Sequence, residues 1–334
     1  MLNLRIALPM ALALPLISGI AGCAVDAPVQ RSVPMQFQFH SAFLMNLHHF
    51  LIDAARHPGR IDAVAWSEPP TADEMLAMHE AVAFYATSFG KRDLLFDDQL
   101  RDIKHALANA GDARQQADGL GLPPALAAML DRAAPVYARC LWPSQDRTNR
   151  EWVTHVQVLE ARYGAQIQAR LERIFESRFP ASIRDDVVVT TGTFVGAYTD
   201  APPPLTVIPS GWDEYGGLAS LEMIWHEAAH AGPSDQLESL IEREADAMGR
   251  KLPENLWHAA LFDAVGITTA DVLARNGRPG YVEYAEKNGV YRRAWPQYVP
   301  LLHDEWRAWI AGRGSMKAAV DAMLTRQPAA FFHR

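Results

Sequence analysis

Along the first half of the chain, apolar residues recur at intervals of three and four, the spacing that buries one face of a helix. Over 36–56, Phe43, Leu47, Phe50, Leu51 and Ala54 fall on one side, and Pro58-Gly59 follows, so one helix is expected there. A second is expected over 71–89. Thr71-Ala72-Asp73-Glu74 reads as a capping box at its start and Gly90 stops it. Segments 95–110 and 123–142 continue the pattern, separated by a polar, glycine-containing loop. A long helix is expected over 145–177, with Trp152, Val156, Leu159, Tyr163, Ile167, Leu171 and Ile174 in register.

The period then changes. Segments 186–190, 193–198 and 205–209 are short and rich in β-branched residues, with Thr-Gly and a run of prolines between them. They predict a small sheet, a hairpin with a third strand. Helical spacing resumes over 218–231, 235–250, 254–265, 268–275, 296–311 and 315–326. The fold class expected is α+β and predominantly helical: a helical part over about 36–178, then a small sheet and a further helical part over about 185–334, all in one domain spanning 36–334. No repeat of 20–50 residues is visible.

The helix after the sheet carries the chemistry. It contains His226-Glu227-Ala228-Ala229-His230, an H-E-x-x-H pattern. On a helix, residues four apart share a face with Cβ atoms about 5–6 Å apart. Two imidazoles so placed can reach one Zn²⁺ at about 2.0–2.1 Å. Glu227 then lies beside the metal, placed to accept a proton from water. Gly216-Gly217 precede the segment, Gly232-Pro233 follow it, and Leu218, Leu221, Ile224, Trp225 and Ala228 bury it. Two His and a Glu also fall into this pattern by chance in some chains, and the helical context weighs against that here.

On the residues His226, Glu227 and His230, the chain resembles the zincin superfamily of zinc metallopeptidases. That resemblance implies a zinc cofactor, Glu227 as general base, and a sheet before the active-site helix whose edge strand can pair with an extended peptide. It also implies a Tyr or His that stabilises the oxyanion. Tyr281, Tyr284 and Tyr291 cluster in a later loop, and Tyr284 is the choice among them, although loop tyrosines commonly serve packing.

A catalytic zinc site has three protein ligands and an open position. Two segments compete for the third. Ile241-Glu242-Arg243-Glu244-Ala245-Asp246 resembles the E-x-x-A-D segment of a family of membrane-associated zinc endopeptidases, which favours Glu242, but only 11 residues separate it from His230. Charge clusters of this kind are also common on solvated helix faces. His258 stands between apolar residues in a helix after Pro253, far enough along for a helix and a return, and is preferred. Glu238, His48 and His49 remain alternatives. His48 and His49 are adjacent on a helix and point about 100° apart, so both cannot serve one metal.

The ends and the charge narrow the setting. Residues 1–22 read as an export signal: Arg5, an apolar run from Ile6 to Leu16, then Ile20-Ala21-Gly22-Cys23. These residues resemble the bacterial lipobox, so Cys23 is expected to be acylated, with 23–35 as a polar tether. The expected address is the cell envelope, lipid-anchored and facing the periplasm, and Ala24 favours the outer membrane. Cys140 is then the sole remaining cysteine, and no intramolecular disulfide can form. The whole chain carries 31 basic and 39 acidic residues, a net charge of −8, and loss of Arg5 with the signal leaves −9. That argues against nucleic acid as a partner. The function expected is a zinc-dependent hydrolase acting on a peptide or other amide. The alternative is a non-catalytic zinc-binding or envelope-interaction lipoprotein.

Overall fold

A computed structural model of the chain describes residues 34–193, 196–200 and 202–327. The signal segment, Cys23 and the tether up to residue 33 lie outside the described residues.

The first departure from expectation comes at the start. Residues 36–56 do not form one helix: Gln36–His40 is a strand (β1) and Phe43–Arg56 a helix (α1). Gln36-Phe37-Gln38-Phe39-His40 alternates polar and apolar residues, which suits a strand with one buried face. Phe37 and Phe39 stack on each other at 5.8 Å, and each meets an indole edge-on, Trp225 at 5.1 Å and Trp152 at 6.1 Å. The helices Ala72–Ser88 (α2), Asp98–Asn109 (α3), Pro124–Cys140 (α4) and Trp142–Ile174 (α5) follow the predicted pattern. The capping box forms: Glu74 N–H donates to Thr71 Oγ1 at 3.3 Å and Thr71 N–H to Glu74 Oε2 at 2.7 Å. Cys140 is a buried free thiol.

Ser182–Val188 (β2), Tyr198–Asp200 (β3) and Leu205–Pro209 (β4) complete a four-stranded sheet with strand order β1-β2-β4-β3. The expected hairpin is present as antiparallel β3 and β4, but β1–β2 and β2–β4 are parallel. β2 begins four residues earlier than its β-branched run, and β3 is displaced toward Asp200. The β1–β2 pairing brings together strands more than 140 residues apart, which a local pattern does not report.

Because side chains alternate along a strand, the sheet has two different faces. One, with Phe37, Phe39, Ile183, Val187 and Ile208, joins the core containing α5 and the H-E-x-x-H helix. The other, with Val188, Tyr198, Leu205 and Val207, packs on the core of α1 to α4. The second core contains a polar group of unusual depth. Lys104 Nζ lies 2.7 Å from the Asp200 carboxylate, and both side chains are fully buried. His49 Nε2 meets the Tyr198 hydroxyl at 2.7 Å, and His48 Nδ1 meets the Tyr85 hydroxyl at 2.9 Å. Both imidazoles have their pKa lowered, chiefly by burial, His49 to about 3. His48 and His49 thus serve the core and the back of β3. Lys104→Ala is expected to cost about 3–5 kcal/mol of stability by leaving the buried Asp200 carboxyl without its partner. The urea midpoint checks this, and a change below 1 kcal/mol would mean the pair carries no such strain.

The remaining helices are Leu218–Ala229 (α6), Pro233–Ala247 (α7), Leu256–Arg275 (α8), the short Tyr284–Lys287 (α9), Val290–Ala294 (α10), Val299–Leu301 (α11) and Arg307–Ile310 (α12), and Met316–Arg326 (α13). Two expected helices over 254–275 are one, α8, running through Gly266. A Cβ at Gly266 would lie 2.8 Å from Glu283 Cβ and 3.1 Å from Glu222 Oε1. That glycine therefore permits a close approach rather than breaking the helix. The helix expected over 296–311 is interrupted by a π turn at Leu302–Trp306. There the buried Trp306 indole donates to Ala260 O at 2.9 Å, and Arg307 pairs with Asp263 at 2.7 Å.

Candidate metal centre

The site begins with how α6 is held. Gly217, at φ +57°, turns the chain into the helix, a conformation that glycine adopts without a Cβ penalty. Every residue from Ala219 to Ala229 is buried. A helix apolar all round belongs in a core, and polar residues placed there need a reason. Trp225 fixes the helix by edge contacts to Phe37 at 5.1 Å and Phe179 at 5.2 Å. The next residue, His226, faces away from the sheet toward α8.

His230 sits one turn on, at the α6 C-cap. α8 packs directly against α6 and presents His258 and, four residues later, Phe262 to the same place. His226 Nε2 lies 3.3 Å from His230 Nε2 and 3.3 Å from His258 Nε2. Ligand atoms of all three residues fall within 4.8 Å of one another. Tetrahedral binding with metal–nitrogen bonds of about 2.0–2.1 Å requires nitrogens about 3.3–3.4 Å apart. The two separations from His226 Nε2 match.

The donor chemistry fits as well. Burial pushes the His230 pKa down to about 3 and that of His258 to about 4, and His226 falls well below its ordinary value. All three are neutral near pH 7, so their lone pairs are free for a metal. Without a cation, His226 Nε2 cannot be well satisfied by both neighbours: one ring nitrogen carries at most one proton, and three lone pairs aimed at one point repel. The His226 ring is positioned by stacking on Phe262, with centroids 3.8 Å apart. Its Nδ1 has no hydrogen-bond partner among the described residues. Trp257 stacks on His258 at 5.0 Å, and Trp295 approaches it at 5.2 Å.

Glu227 points to the β3 side. Its Oε2 accepts from the Thr199 hydroxyl at 2.8 Å. Burial pushes its pKa up to about 7, against the opposing effect of Thr199. Glu222, five residues earlier and also buried, accepts from the Tyr281 hydroxyl at 2.7 Å and from the Tyr284 backbone N–H at 3.0 Å. It pins the loop before α9 to α6, and burial raises its pKa to about 7. Tyr284 stacks on Phe262 at 6.4 Å and meets Tyr215 edge-on at 5.4 Å. Tyr215 OH accepts from Ala197 N–H at 3.0 Å. A Cβ on Gly196 would lie 2.3 Å from that hydroxyl, so only glycine fits there.

The structure therefore brings His226, His230 and His258 together with Glu227 next to His226 in the chain, and sets Tyr284 against Phe262. Glu242 and Glu238 do not join the cluster. α7 turns Leu237, Leu240 and Ile241 into the core, leaving Glu242 exposed and Glu238 partly so. Thr199 and Glu222 escaped the sequence reading: Thr199 follows Tyr198 in a strand placed too early, and Glu222 lies inside an otherwise apolar helix. Two surface cavities, of about 430 Å³ beside Arg278–Val282 and about 380 Å³ beside Arg56 and Arg92, are lined by none of the three histidines. No family model, no curated protein and no solved structure matches this chain. What stands on geometry is a buried three-histidine group that could hold a metal ion in a mostly helical α+β protein.

Proposed function

We propose that this protein is a zinc-dependent hydrolase of the zincin type, acting on peptide or other amide bonds. The observation that carries the reading is the convergence of three neutral histidines, His226 Nε2 lying 3.3 Å from both His230 Nε2 and His258 Nε2 and all three offering ligand atoms within 4.8 Å of one another, with a carboxylate on the residue next to the first. Three histidines are one of the standard donor sets of catalytic zinc, which keeps a fourth position open. Zinc bound there supplies Lewis acidity, polarising the scissile carbonyl and lowering the pKa of water to about 7.

The chain's own groups do the rest. Thr199 holds Glu227 Oε2, so Oε1 is the oxygen presented for proton transfer. Glu227 takes a proton from the attacking water and returns it to the leaving nitrogen. A base whose own burial sets its pKa near 7 suits that role, and a cation nearby draws the value lower again. Tyr284, held edge-on against Tyr215, would offer its hydroxyl proton to the developing oxyanion. β3 is an edge of the sheet, and an extended substrate can add to it beside Thr199.

Removing metal with a chelator should abolish hydrolysis of a casein or fluorogenic-peptide panel, and one equivalent of Zn²⁺ should restore it. Zinc-loaded protein with an intact three-histidine site and no hydrolysis of any amide would instead support the non-catalytic alternative.

Acylation at Cys23 would tether this domain to the envelope, facing the periplasm at the outer membrane. The residues Ile20-Ala21-Gly22-Cys23 support it. Cys23→Ser should move the protein from the membrane to the soluble fraction of a bacterial expression host. Unchanged membrane association of that variant would end the lipoprotein reading.

A further inference from the structure

Asp185 on β2 is the least explained carboxyl in the protein. Its side chain is fully buried, and neither oxygen has a hydrogen-bond partner among the described residues. An isolated carboxylate in such a place costs so much that it neutralises instead. Two nearby charges, Asp186 and Glu227, push the same way, and the Thr206 hydroxyl is the group that opposes them. Asp186 itself points to the other face, where Arg184 holds it at 2.7 Å.

Asp185 is not placed at random. It is the register partner of Thr206 on β4, and Thr206 is the register partner of Thr199 on β3. Partners in register share one face of a sheet. The Thr206 and Thr199 hydroxyls are 2.9 Å apart, and Thr199 lies 2.8 Å from Glu227 Oε2. A row of four oxygen-bearing side chains thus crosses the sheet from Asp185 to Glu227.

Each hydroxyl has one proton to donate. Thr199 has three acceptors in reach: Glu227 Oε2, Glu227 O at 3.2 Å, and Thr206 Oγ1. Which it serves depends on Thr206. Were Asp185 ionised, it would take the Thr206 proton, leaving Thr206 Oγ1 to compete for that of Thr199. A neutral Asp185 has a proton to offer its register partner Thr206, Thr206 can then donate to Thr199, and Thr199 is committed to Glu227. We infer that Asp185 is a positioning residue, held as a neutral acid, that fixes the direction of the Thr206–Thr199 hydrogen-bond chain onto Glu227. The role of Glu227 rests on the hydrolase reading above; the state of Asp185 and its link to Thr206 do not.

Infrared difference spectroscopy of the full chain at neutral pH tests this without any substrate. The expected result is a protonated-carboxyl band that Asp185→Asn removes and Thr206→Val shifts, with a smaller shift in Thr199→Val. In the hydrolysis assay, Asp185→Leu should lower kcat roughly ten-fold with KM unchanged, a fraction of the 10²–10⁴ a general base contributes. Asp185→Asn, whose amide can still donate to Thr206, should recover most of that loss. Absence of an Asn-sensitive band, or a band unmoved by Thr206→Val, overturns the inference. Failure of zinc-loaded wild type to hydrolyse any amide defeats the hydrolase reading and leaves the infrared result to decide this one.

Discussion

His258→Ala protein is expected to lose its zinc while Glu242→Ala protein keeps it. The reason is positional. α8 packs against α6, so a residue on its inner face near its start comes opposite His226, and His258 is that residue. Its Nε2 stands at the same 3.3 Å from His226 as that of His230. Glu242 follows Ile241, which is buried, and a helix step of about 100° turns it to solvent. Loss of a direct ligand should weaken zinc by at least ~100-fold, beyond the 10–100-fold attached to groups that merely orient ligands. Metal analysis after dialysis against a weak chelator reads this directly. A thermal measurement gives a second reading: a ligand at a hundred times its Kd stabilises the folded state by about 2.7 kcal/mol. Zinc should therefore raise the melting temperature of wild type and Glu242→Ala, and leave that of His258→Ala unmoved. Equal zinc content in wild type and His258→Ala would remove His258 from the site.

The second large effect is on rate alone. Glu227→Gln should bind zinc as wild type does and lose at least ~100-fold in kcat, the lower end of what a general base supplies. The substitution keeps the shape of the side chain, and a glutamine can still accept from Thr199, so the fold has no cause to move. What disappears is basicity. The pH dependence of wild type should show the same group: kcat/KM falling as acidity rises past the Glu227 pKa, at or below the value near 7 that burial sets. Hydrolysis by the Glu227→Gln protein at the wild-type rate would show that some other group takes the proton. His226, His230 and His258 are neutral far below that range, so proton competition for the metal belongs at lower pH.

These two expectations were legible to different depths. Spacing alone puts His226 and His230 on one face of a helix, because the period of an α-helix is local and needs no partner. Repeated apolar intervals likewise delimited α2 to α6, since amphipathic helices carry their burial pattern in sequence. Other features have no such local signature. β1 has the local signature of a helix start because its five alternating residues abut a stronger helical pattern, and its partner β2 lies far along the chain. The choice of His258 over Glu242 depends on which of two helices packs on α6, a matter of core contacts rather than of interval. The sequence by itself determined the facing pair His226 and His230, the adjacent Glu227 and the mostly helical α+β class. Tertiary structure alone decided that His258 completes the cluster, that Thr199 holds Glu227, and that Asp185 lies in the same row of the sheet. Each of those depends on strands and helices distant in sequence meeting in register, and a one-residue slip of β2 would have turned Asp185 to the opposite face.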